Sequence, residues 1–361
     1  MTSRFDLSPA DLAGLLESEP RFRAGQVWAG LHRGLEPEEM TDVPRELRAR
    51  LAADLPAGLT LRVRSVGDGA ATVKWLWGLA DGSRVETVLM HYRDRSTVCV
   101  STQAGCAMAC SFCATGQAGF TRHLTTGEIV EQVVRARRAA EGPSGPLSGQ
   151  FDEGGRRLSN VVFMGMGEPL ANYGPVWAAV ERLHDDLGIS ARHLTLSTVG
   201  VVPGIRRLAG EGLPVNLAVS LHAANDGLRD ELVPLNRRYP LAVLMDACAT
   251  YVAAKGRRLS FEWALIDGVN DRPSDAAELA VLARPLGAHV NLIPLNPTPG
   301  YPVRGTPADR VLEFRDQLRD VGINATVRRN RGTDIDAACG QLAARAPVGP
   351  GPEPEVTGPG R

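Results

Sequence analysis

Val98-Cys-Val-Ser-Thr-Gln-Ala-Gly-Cys-Ala-Met-Ala-Cys-Ser-Phe-Cys113 joins a β-rich run to a loop with three closely spaced cysteines. The CxxxCxxC spacing of Cys106, Cys110 and Cys113 suits three irons of a cubane 4Fe-4S cluster and leaves the fourth iron open for catalysis. The alternative is a zinc knuckle completed by His123 or another ligand. Zinc sites favour paired CxxC or CxxH halves, however, and the sequence holds no second half. We therefore expect the three cysteines to bind a 4Fe-4S cluster.

The composition predicts a cytoplasmic enzyme. A chain of 361 residues with 43% hydrophobic residues can bury a large core. No run of 18 apolar residues is present and the first residues lack a basic, apolar leader, so we expect neither a membrane span nor secretion. The six cysteines do not suggest a disulfide framework and suit a reducing compartment.

Arginine pairs are the only sign of nucleic-acid binding in the charge pattern. The net charge of −1 gives no global signal, but basic pairs recur in predicted loops and could hold phosphates. The alternative is that abundant arginine reflects GC-rich coding, since the chain has only two lysines. The pairs are Arg137-Arg138, Arg156-Arg157, Arg206-Arg207, Arg237-Arg238, Arg257-Arg258 and the run Arg328-Arg329-Asn330-Arg331.

The periodicity of the sequence divides the chain into four parts. Residues 1–58 are predicted to form a small helical accessory domain, because Ser8 can cap a helix and two further helical patterns follow. Together with the arginine pairs, this domain is expected to bind RNA through phosphate contacts. Residues 59–92 predict a β-hairpin linker with its turn at Ala80-Asp81-Gly82-Ser83. Residues 93–345 form the predicted core. Residues 346–361 are too rich in proline and glycine to pack, so we predict a disordered tail, and residues 141–157 a Gly/Pro/Ser-rich loop.

Within the core, short β-rich runs alternate with helical patterns. The six runs are VCVS, VVFM, LTLS, VNLAVS, SFEWALI and HVNLIP. Six βα units favour an α/β fold in which a parallel sheet curls into a partial (βα)6 barrel. An open doubly wound sheet is the alternative.

Polar and glycine-rich residues follow the predicted strands at their carboxyl ends, where ligands bind in parallel α/β folds. The open iron needs a chelating ligand, and S-adenosylmethionine offers an amine and a carboxylate. We expect Gly167 and Glu168 to hold its methionyl part. Its ribose and adenine would meet Ser197, Ser220, Leu221, His222 and Asn296.

Seven motifs follow one another along the chain: VETVLM, STVCVSTQAGCAMACSFCATGQAGF, VVFMGMGEPLANY, VNLAVSLHA, VPLNRRYP, VNLIPLNP and GTDIDAACGQL. Together they resemble the RlmN family of radical SAM RNA methyltransferases over residues 5–345. The resemblance implies methylation of C2 of an adenine in the peptidyl transferase centre of 23S rRNA and, in some members, of the adenine beside the tRNA anticodon. Two molecules of S-adenosylmethionine would be used per turnover, with an electron donor such as flavodoxin or ferredoxin. We expect a monomer.

The resemblance also assigns three catalytic residues. Cys339 is similar to the family's thiol that accepts a methyl group, which then becomes a radical and adds to C2. Cys99 resembles the thiol that attacks the Cys339 sulfur and releases product through a transient disulfide, although buried strand cysteines are usually structural. Glu86 resembles the acceptor of the C2 proton. Cys248 is expected to be a small core residue.

Three other functions stay open at this point. A Cfr-type enzyme would methylate C8 of the same adenine, but Glu168-Pro169 and the N-terminal helices favour the RlmN type. A glycyl-radical activase would not need Cys99 or Cys339. A zinc-containing RNA-binding protein would hold no iron.

Overall fold

The computed structural model of the chain describes residues 3–141, 157–296, 298, 301, 303–328, 331–338 and 341–342. Cys339 lies outside these described residues. The same is true of most of the predicted loop 141–157 and of the predicted tail 346–361.

The described residues form one ten-stranded sheet and a separate two-stranded hairpin. The strands are β1 Thr60–Gly67, β2 Thr72–Gly78, β3 Arg84–His91, β4 Ser96–Cys99, β5 Gln103–Gly105, β6 Phe120–His123, β7 Leu158–Phe163, β8 Leu194–Thr198, β9 Asn216–Ser220, β10 Leu259–Leu265, β11 His289–Pro294 and β12 Ala325–Val327. The α-helices are α1 Pro9–Leu15, α2 Phe22–His32, α3 Arg45–Asp54, α4 Ala114–Gln117, α5 Thr126–Glu141, α6 Tyr173–Asp185, α7 Val202–Gly210, α8 Asp226–Leu232, α9 Leu241–Lys255, α10 Pro273–Ala283 and α11 Ala308–Asp320.

The main sheet runs in the order β1-β2-β3-β4-β7-β8-β9-β10-β11-β12. The pairs from β4 to β12 are parallel, whereas β1 to β4 pair antiparallel. The parallel strands follow one another in chain order, without the reversal of order that marks a doubly wound sheet. The structure therefore confirms the partial barrel and the hairpin between β2 and β3.

Strand β10 shows how the sheet separates core from cavity. Phe261, Trp263 and Leu265 are completely buried on one face. Glu262 and Ala264 alternate with them and point to the other face, because successive side chains of a strand lie on opposite sides. A polar residue between apolar neighbours in this sheet therefore faces the inside of the barrel.

The N-terminal helices pack directly on the barrel. Ser8 caps α1 through a capping box with Asp11, as the sequence predicts. Apolar residues of α1 to α3 belong to the same hydrophobic cluster as the barrel core. Several hydrogen bonds join the region to α5. Among them, the Gly127 N–H donates to Oδ1 of Asp6 at 2.7 Å, and the Gly58 N–H donates to Oε2 of Glu131 at 2.7 Å. Removing these helices would expose the core of the barrel.

Several elements are absent from the sequence-based prediction, among them strands β1, β5, β6 and β12. Strand β1 is an edge strand whose residues are mostly exposed, so it lacks the apolar alternation that identifies a half-buried strand. Strands β5 and β12 have only three residues each. Within the described residues, no helix is long and apolar enough to cross a membrane.

Candidate active site

A cavity of about 160 Å³ lies at the carboxyl ends of the parallel strands. The three predicted cluster cysteines and most of the predicted S-adenosylmethionine residues line it together, although they come from widely separated parts of the chain. The predicted residues that line it are Cys106, Cys110, Cys113, Gly167, Glu168, Ser197, Ser220, His222 and Asn296. Leu221 is not among the lining residues, and its side chain is completely buried in the core.

The three cysteines lie in a loop that the β5–β6 hairpin closes. Gly105 has φ +76°, and a Cβ there would collide with the carbonyl oxygen of Gly119, so only glycine fits. The Cys106 N–H donates to the same carbonyl oxygen at 2.8 Å. Phe112 packs edge-on against the His222 ring at 4.7 Å, which fixes the loop against the end of β9.

Burial favours the neutral thiols of Cys106 and Cys110. Burial raises the pKa of Cys106 to about 12 and raises the pKa of Cys110 further. Iron must displace these protons, because the thiolate is the ligand. In the part of the chain that the structure describes, no three His, Cys, Asp or Glu side chains are gathered as they would be around one metal ion.

Glu168 presents a buried carboxylate to the cavity. Its Oε1 accepts a hydrogen bond from the Leu170 N–H at 2.9 Å, and its Oε2 accepts one from the Val199 N–H at 2.9 Å. Burial raises the pKa of Glu168 to about 7 in spite of these bonds. Gly167 has φ +100°, and a Cβ there would overlap Gln103. Position 167 therefore requires glycine. The Glu168 carboxylate beside it can accept hydrogen bonds from an ammonium group.

His222 is a neutral hydrogen-bond donor at the cavity wall. Its backbone is left-handed, with φ +61°, and its Nδ1 accepts the Ala264 N–H at 3.0 Å. Because Nδ1 is an acceptor, the ring proton belongs on Nε2. Burial, with a smaller contribution from the charge of Arg229, lowers the pKa of His222 to about 3.

Arg229 is a buried side chain that joins two strand ends by hydrogen bonds, and it was not predicted from the sequence. Its guanidinium donates to the carbonyl oxygens of Val199 at 2.7 Å and Leu221 at 3.1 Å, and to Oδ1 of Asn236 at 2.8 Å. It thereby ties the ends of β8 and β9 together beneath the cavity. Burial lowers its pKa to about 10. The sequence signal that could have identified Arg229 is Asn236 in the VPLNRRYP motif, because Asn236 accepts a hydrogen bond from the Arg229 guanidinium.

Glu262 and Arg328 also line the cavity and were missed. Glu262 accepts hydrogen bonds from Ser260 Oγ at 3.0 Å and from Asn291 Nδ2 at 2.7 Å. Burial raises its pKa, which the positive charge of Arg328 opposes. Strand alternation in SFEWALI could have placed Glu262 on the inner face.

Cys99 lies in a second cavity of about 80 Å³. Ala337 and Ala338, which directly precede Cys339 in the chain, line the same cavity. The two cavities are adjacent, because five residues line both: Cys113, Thr115, Met164, Gly165 and Arg328.

Glu86 lies on the same face of the sheet as Cys99. Cys99 on β4 pairs with Val88 on β3, and Glu86 is two residues before Val88. Side chains two apart on a strand share a face, as do those of paired residues. The Glu86 carboxylate is buried, and its Oε1 lies 3.4 Å from the ammonium of Lys74.

Residues 100–280 match the model of the Radical SAM superfamily. The chain is 52% identical to a protein of Chloroflexus aurantiacus named "Probable dual-specificity RNA methyltransferase RlmN", over 95% of this chain and 93% of the relative. It is 54% identical to a protein of the same name from Parafrankia sp., over 91% of this chain and 88% of that one. The chain belongs to the RlmN family of radical SAM enzymes. A crystal structure of a radical SAM methyltransferase from Sphaerobacter thermophilus matches with a TM-score of 0.89 and 49% identity, covering 96% of this chain and 100% of that chain.

Membership of the RlmN family makes this chain an RNA methyltransferase that uses a 4Fe-4S cluster and S-adenosylmethionine. The described residues fit both groups. Three thiols line one cavity, and the same cavity is lined by a carboxylate that can accept hydrogen bonds from an amine and by a neutral imidazole that can donate one.

Proposed function

We propose that this RNA methyltransferase adds a methyl group to C2 of an adenine in the peptidyl transferase centre of 23S rRNA and to C2 of the adenine 3′ of the tRNA anticodon. The observation that carries the proposal is the shared cavity beside β3 and β4. Cys99 lines it together with the residues that lead into Cys339, and Glu86 lies on the same face of the sheet. The curated relatives are named dual-specificity RNA methyltransferases, which agrees with two RNA substrates.

Cys106, Cys110 and Cys113 would hold the cluster, whose bound form supplies the electron that splits S-adenosylmethionine. Glu168 would accept hydrogen bonds from the ammonium of the methionyl part. Nε2–H of His222 and the side chains of Ser197, Ser220 and Asn296 would orient the nucleoside part at the opposite wall of the cavity.

The two remaining thiols, Cys339 and Cys99, act one after the other on the transferred carbon atom. Cys339 takes a methyl group from S-adenosylmethionine and carries the carbon until it is bonded to C2. The Cys99 thiolate then attacks the Cys339 sulfur. A sulfur–sulfur bond forms, the carbon–sulfur bond breaks, and its electron pair stays with the carbon, which takes up a proton to become the methyl group.

Glu86 accepts the proton that leaves C2, and the unpaired electron of the adduct returns to the electron carrier that supplied it. A carboxylate is a competent base only while it is ionised, and the Lys74 ammonium at 3.4 Å favours the ionised form. A bacterial flavodoxin or ferredoxin would reduce the cluster. We also propose that the enzyme works as a monomer in the cytoplasm.

The test is the modified base itself. The chain is expressed in a bacterial strain whose own adenine-C2 methyltransferase is deleted, and nucleosides of purified 23S rRNA and tRNA are measured by mass spectrometry. We expect 2-methyladenosine to return in both RNAs. Appearance of 8-methyladenosine instead would show that the enzyme is of the C8 type, and 2-methyladenosine in rRNA alone would remove tRNA from the proposal.

A further inference from the structure

Lys74 lies at one end of a row of side chains that crosses three strands. Lys74 on β2 pairs with Val88 on β3, which in turn pairs with Cys99 on β4. Glu86 is diagonal to Lys74 on the same face. The Lys74 side chain is 13% exposed and that of Glu86 only 2%, so solvent screens this ion pair weakly.

The Lys74 ammonium has a second partner in the segment that leads to Cys339. It donates to the carbonyl oxygen of Asp336 at 3.1 Å, across 262 residues of sequence. One positive charge thus touches both the proposed base and the described segment 331–338. A single side chain with two such partners can hold them in a fixed relation to one another.

The turn between β1 and β2 holds the same segment independently of Glu86. Oδ2 of Asp68 accepts the Gly332 N–H at 2.7 Å, and the Asp68 N–H donates to Oδ2 of Asp334 at 3.2 Å. Gly332 has φ +65°, and a Cβ there would overlap Ala337 and Thr72. Asp68 therefore fastens the segment without touching the carboxylate of Glu86.

We propose that Lys74 is a positioning residue that couples the base Glu86 to the methyl-carrying segment. This inference rests on the proposed function. Lys74 keeps the Glu86 carboxylate ionised and aimed while it holds Asp336, so that the base and the carbon carrier reach the adenine together. Loss of Lys74 removes a positive charge that favours the ionised carboxylate, so it weakens Glu86 as a base as well as loosening the segment.

Asp68→Ala separates the two roles, because it loosens the segment and leaves the Lys74–Glu86 pair intact. Lys74→Met loses both contacts at nearly constant size, and Lys74→Arg keeps the charge. Lys255→Met is the matched control: it is the other lysine of the chain, and it also donates to a backbone carbonyl, that of Glu211, outside the site. Iron content and circular dichroism of each variant show whether it is folded.

Each variant is first loaded with a methyl group on Cys339, and its delivery to RNA is followed in a single turnover at varied RNA concentration. We expect Lys74→Met to deliver the methyl group at least about tenfold more slowly than Asp68→Ala at saturating RNA, which is less than the about 100-fold effect of losing a general base because the Glu86 side chain remains. The RNA concentration for half-maximal rate should change little. Lys74→Arg should recover most of the rate, and Lys255→Met should match the wild type.

Deuterium uptake of residues 331–338 gives a readout that needs no RNA. We expect faster uptake in Lys74→Met and in Asp68→Ala, and unchanged uptake in Lys255→Met. Equal delivery rates in Lys74→Met and Asp68→Ala would overturn the coupling and leave Lys74 as a fastener of the segment. Unchanged deuterium uptake in Lys74→Met would also refute the claim that Lys74 holds residues 331–338 in place. A wild-type enzyme that methylates RNA at a position other than C2 would contradict the proposed function, and the deuterium result would still decide whether Lys74 holds the segment.

Discussion

Cys99 and Val88 are paired across β4 and β3, and this pairing fixes the Cys99 thiol on the face of the sheet that carries Glu86. A shift of one residue in this register would turn the thiol to the opposite face. The antiparallel attachment of the hairpin to the barrel therefore does more than extend the sheet. It brings a proposed base from the hairpin beside a proposed thiol from the first barrel strand.

Cys99→Ala and Cys339→Ala should have opposite phenotypes. Cys339→Ala should carry no S-methyl group and leave RNA unmodified, because the carbon has no carrier. Cys99→Ala should accept the methyl group, bond it to adenine and stop there. Purified Cys99→Ala protein should then retain RNA that nuclease trims and denaturant does not remove, visible as a mass shift.

The double variant is the control for this experiment and should retain no RNA. Normal turnover by Cys99→Ala, or labelled methyl groups reaching RNA in Cys339→Ala, would be incompatible with the two-cysteine mechanism.

Cys110→Ala should abolish the cluster, because three thiolates are needed to hold three irons. Iron analysis and visible absorbance of anaerobically prepared protein measure the loss. Cys248→Ala is the matched control, since Cys248 is a completely buried cysteine on α9. It should keep its iron. Four irons per chain in Cys110→Ala would show that Cys110 is not a ligand.

The stability of the cluster-free protein should fall in acid partly because of His222. Its pKa is lowered from 6.5 to about 3 by burial, so the unfolded chain binds a proton at a pH where the folded chain does not. The contribution of the neutral His222 ring to the free energy of unfolding is complete above pH 6.5, and it is lost as the pH falls towards 3. Urea unfolding of wild type and His222→Asn between pH 7 and 4 measures it.

Asparagine tolerates the left-handed backbone at position 222 and does not titrate. We expect a smaller loss of unfolding free energy in His222→Asn over this range. Parallel losses in the two proteins would show that other groups cause the acid sensitivity.

RNA affinity should depend on arginines that are not already engaged by carboxylates. Arg206 lies 3.0 Å from Asp246, whereas Arg238 lies over the Tyr239 ring and Arg237 is exposed beside it. Arg237→Ala with Arg238→Ala should weaken RNA binding and reduce the slope of log affinity against log salt by about 1.5, as expected for two lost phosphate contacts. Fluorescence anisotropy at several salt concentrations measures both.

Arg206→Ala is the control and should change the slope little. An unchanged slope in the double variant would exclude this edge of the barrel from the RNA interface. Charge variants are a better test than removal of residues 1–58, because the N-terminal helices share their hydrophobic core with the barrel.

The sequence predicted the parts of the site that lie in ordered motifs and missed the parts that depend on packing. Cys106, Glu168 and His222 follow strands at positions where ligands bind, and they do line one cavity. Arg229 was missed because an arginine in a helix is usually exposed, and only the tertiary structure brings the carbonyl oxygens of two strand ends to it. Lys74 was counted only as one of two lysines. Its role depends on a partner 262 residues away, which no local pattern reveals.

The segment that ends the described chain closes the site over long sequence distances. Besides the contacts made by Lys74 and Asp68, Thr115 in the cluster loop donates to the carbonyl oxygen of Leu342 at 2.5 Å, 227 residues away. Synthesis runs from the N-terminus, so β1 to β12 are made before residues 331–342. The wall of the cavity beside Cys99 therefore depends on the segment of the described chain that is synthesised last. The cavity beside Cys99 is thus incomplete until this last described segment has been made and has packed against β2 and the cluster loop.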